Sequence, residues 1–559
     1  MRDRRVVALA TASAVVLGVT YLTLPPAGSD LAAQVARADF FAAHGTAPVD
    51  LRWYGGVNQF GYSLVSQPVM ALLGVRVTGV LALVAAAAAL AALLARTGVP
   101  RPLLGALVGV VTLTGNLVAG RVTYGLGVAL GLVALLALTL PADRREPAPA
   151  RGRRGTVRLG LAALGALLAS ATSPVAGLFV GLAGAALLLS RRYADGLALG
   201  VAAALPLGVT ALLFGDGGWM NISRTDTLRT VVTSLLVAAL VAYRPVRAGA
   251  LLSAAGVLAA ALVHTPVGLN ATRLAAMFAL PVLAAAAGVR KGPLLTPPVE
   301  EGSPVNASRL RWAPRGRWSG WGFAAARGGR GGAVALAVLL AAVCWWQPPV
   351  SPADLRSVTD PAARPAYFAP LRDFLAAQRL TGRVEIPPTR GYWEAASLGE
   401  VPLARGWLRQ ADIDRNPLFF TTVPGAAGTG VPLTPDSYRD WLLDNAVQYV
   451  AVPDAPLSWV GRPEADLVTG GLPYLTPVWS GPHWRVWAVD GSRPVVGAPG
   501  ELVRSDAASL TFRAAAAGPV PVRVRHNRWL TVTGGATLAP DGDWITVTVP
   551  GAGEYRLGS

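Results

Sequence analysis

The run VTGVLALVAAAAALAALLA, residues 77–95, carries no charged side chain and decides the class of fold. A helix needs about 20 apolar residues to cross the hydrocarbon core of a bilayer. The whole chain has the same character, because 53% of its 559 residues are hydrophobic and only 14% are charged, with a mean hydropathy of +0.46. These values exclude a chain built only of soluble domains and predict a polytopic α-helical membrane protein.

Eleven apolar segments of this kind follow one another in the first part of the chain. They are predicted near residues 6–24, 64–95, 103–118, 122–140, 159–172, 175–190, 197–214, 228–243, 248–263, 274–289 and 333–346. The second contains an approach segment ahead of its span, and the fifth and sixth are short and joined only by Ser173 and Pro174. We therefore expect about 11 transmembrane helices in a membrane domain of residues 1–346.

The net charge of +18 indicates how the chain is oriented in the membrane. If the N-terminus is cytoplasmic, every arginine-dense loop falls on the cytoplasmic side, as the positive-inside rule requires. These loops contain Arg96 and Arg101, five arginines between residues 144 and 154, Arg191 and Arg192, Arg244 and Arg247, and the basic loop 290–332. We predict a multi-pass plasma-membrane protein with an extracytoplasmic C-terminal domain, and the charge needs no nucleic-acid partner to explain it.

Residues 347–559 have the composition of soluble domains, and we expect them on the extracytoplasmic side. A capped helix that starts after Thr434 precedes two predicted strands, 447–452 and 484–489, so the first part of this domain is predicted to be α/β. From about residue 502 short alternating runs predict a β-sandwich. These runs lie at 509–512, 520–524, 529–532 and 544–549. The tryptophans of this part would either fill its core or bind sugar, and the sequence leaves both roles open.

The first outer loop, predicted at residues 25–62, holds the main candidates for chemistry. Asp30 follows the first span, so its carboxylate would lie at the membrane surface, between a lipid head group and a water-soluble acceptor. It could act there as a base, or it could cap the helix whose apolar stripe begins after it. Asp39 lies about half a turn away around that helix, so the two acids cannot both face one substrate. Candidates for binding sugar or acceptor are Asp39, His44, Asp50, Arg52, Trp53 and Tyr54, with local hydrogen bonding as the alternative for His44 and Asp50.

Polar residues at other outer helix ends could complete such a site. Asn116, Arg121 and Tyr124 lie between the third and fourth spans, Arg224 follows the seventh, and His264 and Arg273 follow the ninth. An arginine at head-group depth offers paired donors and a fixed charge to a phosphate, although it can also simply extend toward water. We prefer Arg121 and Arg273 as phosphate ligands, with Arg224 as a third candidate.

Sequence motifs for other kinds of chemistry are missing. Cys344 is the only cysteine, which excludes a disulfide framework and a cysteine-based metal site. No glycine loop followed by lysine predicts an ATP site. We therefore expect no cofactor, and a divalent cation is not indicated. The energy for a reaction would come from an activated substrate or a gradient.

Five short motifs resemble those of a known class of enzyme. They are Gly28-Ser29-Asp30, Trp53-Tyr54-Gly55-Gly56, Gly120-Arg121-Val122-Thr123-Tyr124-Gly125, Ser173-Pro174-Val175-Ala176-Gly177 and Arg405-Gly406-Trp407-Leu408-Arg409-Gln410. With about eleven spans and an outer β domain, the chain resembles GT-C-type integral membrane glycosyltransferases, and more narrowly the actinobacterial arabinofuranosyl- and mannosyltransferases of cell-envelope assembly. Leu31 follows Asp30, so the paired adjacent acids of some GT-C members are missing, which weakens a metal-binding role.

The resemblance implies transfer of a sugar, arabinofuranose or mannose, from a polyprenyl-phosphate donor to a cell-envelope polysaccharide or glycolipid on the outer face. Asp30 would be the general base on the acceptor hydroxyl, because a carboxylate is ionised at neutral pH. Arginines would hold the departing phosphate, and the donor's lipid would enter between the spans from the membrane lipids. Trp393, Trp407 and Arg409 would contact the glycan, or they would dock the outer domain onto the membrane half.

Two other functions stay open from the sequence. A glycolipid transporter or flippase would place ionisable residues at the bilayer midplane and would contain inverted repeats with broken helices. The predicted spans are instead Ala, Leu, Val and Gly through their centres, with polar residues collected at one end. A non-catalytic envelope-assembly protein is the second alternative, and one sequence does not decide it.

Overall fold

The computed structural model describes residues 2–140, 148–288, 330–427 and 430–559. Outside these residues lie Arg144, Arg145 and nearly all of the predicted basic loop 290–332; the side chains of Arg151, Arg153 and Arg154 are also outside the description. The assignment of these arginines to the cytoplasmic side therefore stays a prediction from the sequence.

Each of the eleven predicted segments contains a helix in the described structure, although several predicted segments run past the ends of their helices. The helices before residue 347 are α1 (Arg2–Thr23), α2 (Leu31–His44), α3 (Ser66–Leu73), α4 (Val75–Arg96), α5 (Pro102–Val118), α6 (Val122–Ala137), α7 (Ala148–Thr172), α8 (Pro174–Leu189), α9 (Tyr193–Phe214), α10 (Arg224–Leu240), α11 (Arg244–Leu262), α12 (Arg273–Ala286) and α13 (Arg330–Trp346). Within the described residues six are long and apolar enough to cross a membrane, namely α1, α4, α7, α9, α11 and α12 with the turn before it. The chain is a polytopic membrane protein, and the count of eleven spans stays a prediction.

Two predicted segments differ from the helices that form. The second is two helices, because Gly74 between α3 and α4 has φ 81°, a conformation that favours glycine. The fifth is predicted to be short, yet α7 covers 25 residues. Hydropathy predicts only the apolar part of this helix, from residue 159 onward. The polar part before it is held to α9 by an ion pair, in which Arg158 donates to Asp195 at 2.8 Å.

Small residues let the membrane helices approach each other closely. A Cβ on Gly105 of α5 would lie 2.5 Å from the Ala285 side chain of α12. Close packing of this kind drives helix association in lipid, where the hydrophobic effect between helices is missing. Ser173 accepts from the Ala176 amide at 3.3 Å and caps α8, so α7 and α8 are joined through a single residue.

The first outer loop packs against the part of the chain formed by residues 347–559, which we call the outer region. The loop forms α2 and an antiparallel ribbon of β1 (Val49–Asp50) and β2 (Val57–Asn58). Leu403 of the outer region donates its amide to the Arg52 carbonyl at 2.7 Å, and the Tyr54 hydroxyl donates to the Gly406 carbonyl at 2.6 Å. Because Trp53 is fully buried among side chains of both parts, the loop and the outer region share one core.

The outer region begins with an α/β unit. Its helices are α14 (Pro352–Arg356), α15 (Ala369–Ala376), α16 (Glu394–Ser397), α17 (Arg409–Arg415), α18 (Pro435–Asp444) and α19 (Gly461–Thr469). Its strands are β3 (Arg383–Glu385), β4 (Val447–Pro453), β5 (Leu475–Gly481) and β6 (Trp484–Val489), in the order β3-β4-β6-β5. Only β3 and β4 are parallel.

Two sheets with a common core end the chain. Their strands are β7 (Gly500–Ser505), β8 (Ser509–Ala514), β9 (Gly518–Val522), β10 (Thr531–Val532), β11 (Thr537–Asp541), β12 (Trp544–Val549) and β13 (Gly553–Gly558). The orders β10-β13-β8-β7 and β11-β12-β9, with apolar side chains of both sheets in one cluster, are those of a small β-sandwich.

Two tryptophans of this sandwich join it to the rest of the molecule. The predicted strand 529–532 shortens to β10, because Trp529 stacks on Phe214 of α9, with ring centroids 5.2 Å apart. Trp544 lies against the guanidinium groups of Arg383 and Arg525, whose Cζ atoms are 5.4 and 4.9 Å from its ring centroid. Both tryptophans therefore contact neighbouring parts of the protein, and Trp529 also packs against the core of the sandwich, which is one of the two roles that the sequence left open.

Candidate active site

Asp30 lies where the first outer loop passes the turn between α5 and α6. Its amide donates to the Ala119 carbonyl at 3.1 Å. Gly28 permits this approach, because it has φ 106° and a Cβ there would lie 2.5 Å from the Val118 carbonyl oxygen. Asp30 occupies the cap position of α2, but its side chain makes no capping hydrogen bond. The carboxylate is therefore available to other partners.

Two arginines converge on this carboxylate. Arg121 donates from Nε to Asp30 Oδ2 at 3.1 Å, and Arg273 donates from Nη2 to the same oxygen at 3.3 Å. Asn116 donates to the Arg121 carbonyl at 3.2 Å and holds the turn between α5 and α6. The Cζ atom of Arg273 lies 5.4 Å from the ring centroid of Tyr124. The structure thus brings together five residues that the sequence singles out. We call Asp30, Arg121 and Arg273 the acid–arginine site.

A second carboxylate, which the sequence analysis misses, lies beside this site. Asp354 of α14 accepts from the Ser29 amide through Oδ1 at 3.2 Å. Burial raises the pKa of Asp354, while the positive charge of Arg121 lowers it. Asp354 follows the last predicted span as Asp30 follows the first, and this shared position is the signal that could have identified it. Within the described residues, no group of three or more His, Cys, Asp or Glu side chains is placed to hold a metal ion.

Side chains from the outer region and the first loop flank Asp30. Trp407 donates from Nε1 to the Ser29 carbonyl at 3.0 Å and meets the Tyr62 ring edge-on, with centroids 6.0 Å apart. Gln34 donates to the Tyr62 hydroxyl at 3.0 Å. Burial raises the pKa of Tyr62, and the negative charge of Asp30 adds to the rise, so this hydroxyl keeps its proton at neutral pH.

Five predicted ligands of sugar or acceptor are instead buried in internal contacts. Asp50 and Arg52 form an ion pair at 2.8 Å with both side chains buried. Tyr54 is buried by its contact with the outer region, and Trp393 is 6% exposed in the same core. The ring of Trp53 is also buried there, although its Nε1 has no hydrogen-bond partner in the described structure. The internal contacts of Asp50, Arg52, Tyr54 and Trp393 are those of structural residues, and a role of these four in binding sugar or acceptor stays a prediction from the sequence.

The remaining predicted residues are exposed or have partners other than the Asp30 carboxylate. Asp39 on α2 and Arg224 at the start of α10 are exposed. His44 lies 3.3 Å from Glu400, and His264 stacks on Trp219 with ring centroids 3.9 Å apart. Arg409 donates to the Tyr392 hydroxyl at 3.2 Å. Since Asp39 is exposed while Asp30 is buried, the two acids face different surroundings, as the helical spacing predicts.

An apolar cavity of about 390 Å³ lies among the membrane helices next to this site. It is lined by α4, α6, α8, α10, α11 and α12, and it runs along α6 from Tyr124 to Leu135 and then past the end of this helix to Thr139. At 1.5 Å per residue the part along α6 is about 16 Å long, which is about half the thickness of a hydrocarbon core, and the residues past the helix end extend it further. The cavity therefore has the length and lining for a hydrocarbon chain whose polar end lies beside Arg273.

These observations define a class, namely a polytopic membrane protein in which an outer α/β region covers an acid–arginine site at the end of an apolar cavity. Among solved structures, the chain is similar to a cryo-EM structure of the arabinofuranosyltransferase AftD from Mycobacteria, with a TM-score of 0.45 and 18% identity, covering 88% of this chain and 40% of that one. For a mutant of the same protein the TM-score is 0.45 and the identity 16%, covering 89% of this chain and 42% of that one.

The chain spans about two fifths of the length of the AftD structures that it matches. The protein in these structures is an arabinofuranosyltransferase, which is one of the two kinds of enzyme that the sequence motifs resemble. No protein-family model matches the chain, and no curated protein does. Because the TM-scores are below 0.5, the function is argued from the site.

Proposed function

We propose that this protein is a membrane glycosyltransferase that transfers a sugar, arabinofuranose or mannose, from a polyprenyl-phosphate donor to a cell-envelope polysaccharide or glycolipid. The observation that carries the proposal is the Asp30 carboxylate between Arg121 and Arg273 at the end of an apolar cavity. The cavity suits the lipid, the arginines suit the phosphate and the carboxylate suits a base.

Arg121 and Arg273 would bind the phosphate of the donor. In the free protein both guanidinium groups share a single oxygen of Asp30. The donor's phosphate is a diester with two non-bridging oxygens and one negative charge, so it can accept from both guanidinium groups in place of the carboxylate, and it gains a second charge as its bond to the sugar breaks. Its binding would release the Asp30 oxygen, and the same arginines would then stabilise the negative charge of the departing phosphate.

Asp30 would act as the base on the acceptor. As the acceptor oxygen forms its bond to the anomeric carbon, the hydroxyl proton passes to the carboxylate. The bond between the anomeric carbon and the phosphate oxygen breaks, and its electron pair leaves with the polyprenyl phosphate. Ser29 Oγ donates to Asp30 Oδ1 at 3.3 Å, which helps to orient the carboxylate for this step.

The acceptor glycan is proposed to approach along Trp407 and Arg409. Trp407 is half-buried and bonds to the carbonyl before Asp30, so one edge of its ring borders the site. Arg409 pairs with Tyr392, and a Cβ on the adjoining Gly391 would lie 4.0 Å from the Gly28 carbonyl oxygen. On this proposal the reaction takes place at the outer face of the plasma membrane, with the N-terminus in the cytoplasm.

The base is tested by Asp30→Asn in purified protein reconstituted in lipid nanodiscs. The donors are short-chain polyprenyl-phosphate arabinofuranose and its mannose counterpart, each with an oligosaccharide acceptor. We expect transfer to fall by about 10²- to 10⁴-fold, the range of general-base catalysis, with an unchanged melting temperature. Asp440→Asn, at an exposed position of α18, is the control and should keep full activity.

Two results would contradict this proposal in different ways. Full transfer by Asp30→Asn would exclude Asp30 as the base. If the wild-type protein transfers sugar from neither donor but moves a lipid-linked sugar between leaflets, the transporter alternative replaces the enzyme.

A further inference from the structure

Arg37 is a buried charge that the proposed chemistry does not use. It lies on α2 and is 1% exposed. Its Nη1 donates to the Gln59 carbonyl at a long 3.4 Å, and its Nε and Nη2 have no hydrogen-bond partner among the described residues. Burial lowers the pKa of this guanidinium, and the charges of Asp216 and Asp50 offset only part of the effect. A buried cation with unmet donors is costly, so its presence calls for a function.

Arg37 is close to the acid–arginine site. It follows Asp30 by seven residues and Gln34 by three, so the three side chains lie on one face of α2. Its Cζ atom is 4.4 Å from the Tyr62 ring centroid. Tyr62 in turn contacts Trp407, which bonds to the carbonyl before Asp30. One aromatic ring therefore separates Arg37 from the groups around the proposed base.

The unmet polar groups around Arg37 include donors and an acceptor. Trp53, whose ring centroid is 5.8 Å from the Arg37 Cζ atom, has an unpartnered Nε1 donor, and the Gln59 side chain has an unpartnered Oε1 acceptor. A sugar hydroxyl both donates and accepts, so one sugar ring can satisfy both kinds of group. A phosphate would satisfy the donors alone, and Arg121 and Arg273 already offer a phosphate site.

We propose that Arg37, Gln59 and the Nε1 group of Trp53 form a sub-site that binds hydroxyl groups of the sugar being transferred. This inference rests on the proposed function. A sugar attached to a phosphate at Arg121 and Arg273 would reach the sub-site past Tyr62. Because the sub-site is buried, it suits the single sugar of the donor, whereas a long glycan requires the open side of the site.

Arg37→Met tests the sub-site by replacing the guanidinium side chain with an unbranched, uncharged one. Arg37 is a buried cation with one long hydrogen bond, so its removal relieves a desolvation cost and the melting temperature should stay equal or rise. We expect kcat/KM for short-chain polyprenyl-phosphate arabinofuranose or its mannose counterpart, whichever the wild type uses, to fall about 10- to 100-fold. The acceptor KM should stay within about twofold of the wild-type value, and Arg37→Lys should recover part of the loss.

Donors that lack one sugar hydroxyl each make the test specific. The wild type should lose about tenfold or more in kcat/KM with at least one of these deoxy donors. Arg37→Met should no longer distinguish that donor from the parent, which is the coupling measured by a double-mutant cycle. Equal discrimination in both proteins would overturn the proposal, and so would an unchanged kcat/KM or a change confined to the acceptor KM.

Arg383→Met is the matched control for a buried arginine. Arg383 is 2% exposed and also has an unpartnered Nε in the described structure, but it lies in β3 of the outer region. It should alter stability without altering donor kcat/KM, and equal losses in the two variants would assign the Arg37 effect to general damage. An inactive wild-type protein would contradict the proposed function itself. If the wild-type protein is active and Arg37→Met has the same donor kcat/KM, only the sub-site is contradicted.

Discussion

Asp30 stands before the first turn of α2, where an aspartate commonly accepts a backbone hydrogen bond. Its side chain instead bonds to Arg121 and Arg273. Leaving a helix end without its cap costs about 1 kcal/mol, and charge-assisted hydrogen bonds to two arginines offset this cost. A side chain that gives up a local hydrogen bond and contacts distant parts of the chain is typical of a functional site.

Single substitutions of Arg121 and Arg273 test the proposed phosphate site. Lysine keeps the positive charge but loses the planar, paired donors. We expect Arg121→Lys and Arg273→Lys each to raise the KM for the polyprenyl-phosphate donor by about tenfold, with a smaller effect on the acceptor KM. Initial rates at varied donor and saturating acceptor give the comparison.

Arg247→Lys is the control for these two variants. Arg247 donates to the Ala238 carbonyl at 3.0 Å, at the predicted cytoplasmic end of the helices. Its donor KM should equal that of the wild type. If the donor KM is also unchanged in Arg121→Lys and Arg273→Lys, neither arginine binds the phosphate.

At the scale of elements, α2 organises the site. Its buried face carries Asp30, Gln34 and Arg37, and its exposed face carries Asp39. The short helix α16 packs against α2 from the outer region. The face that holds the proposed base is thus covered from the membrane half and from the outer region together.

Glu394, the first residue of α16, gives this packing a pH dependence. Its buried carboxylate accepts from the Thr389 hydroxyl at 2.6 Å. Burial raises the pKa of Glu394 from 4.5 to about 7. Because the folded state then binds the proton more tightly than the unfolded state, the unfolding free energy decreases as the pH rises from 4.5 to about 7.

Replacing Glu394 by glutamine should remove this dependence. The loss in the wild type across the window is on the order of 3 kcal/mol. The melting temperature of Glu394→Gln in detergent, relative to the wild type, should therefore increase between pH 4.5 and 7. Glu554→Gln, on the exposed side of β13, should show no such trend. A constant difference between Glu394→Gln and the wild type would show that Glu394 does not titrate in this range.

On the scale of the whole molecule, the outer region is attached to the membrane helices at several points. Arg415 of α17 donates to the Gly56 carbonyl at 2.9 Å and lies 3.8 Å from Asp216, just after α9. Trp529 donates from Nε1 to the Leu213 carbonyl at 2.9 Å. These contacts hold the first outer loop between the two halves, so the geometry around Asp30 depends on the docked arrangement.

Trp529→Ala should loosen the β-sandwich from the membrane half. The loss of the stacking on Phe214 and of one hydrogen bond should cost about 1–3 kcal/mol. Hydrogen–deuterium exchange should increase in residues 500–558 more than in the membrane helices. Trp459→Ala, at a side chain that is 46% exposed, is the control. Unchanged exchange in Trp529→Ala would show that this contact does not hold the sandwich in place.

Elements with a strong local signal are predictable from the sequence. The strand Trp484–Val489 and the helix capped by Thr434 form as predicted. The strand β11 is missed, because Pro540 interrupts its pattern, and its place at the edge of its sheet is what allows a proline there. The candidate residues were recognisable from their chemistry and their position in the sequence. Which of them are accessible and which are buried was not, because burial depends on contacts that no local pattern contains.

The sequence by itself determined that this is a polytopic membrane protein and that Asp30, Arg121 and Arg273 deserve testing. Apolar length, charge and residue chemistry are local properties, and they are readable one segment at a time. Only the tertiary structure decided that these three side chains meet, that Asp354 and Arg37 lie near them, and that Tyr54 belongs to the core. The physical reason is that such contacts join residues far apart in the chain, and the packing of the whole molecule brings them together.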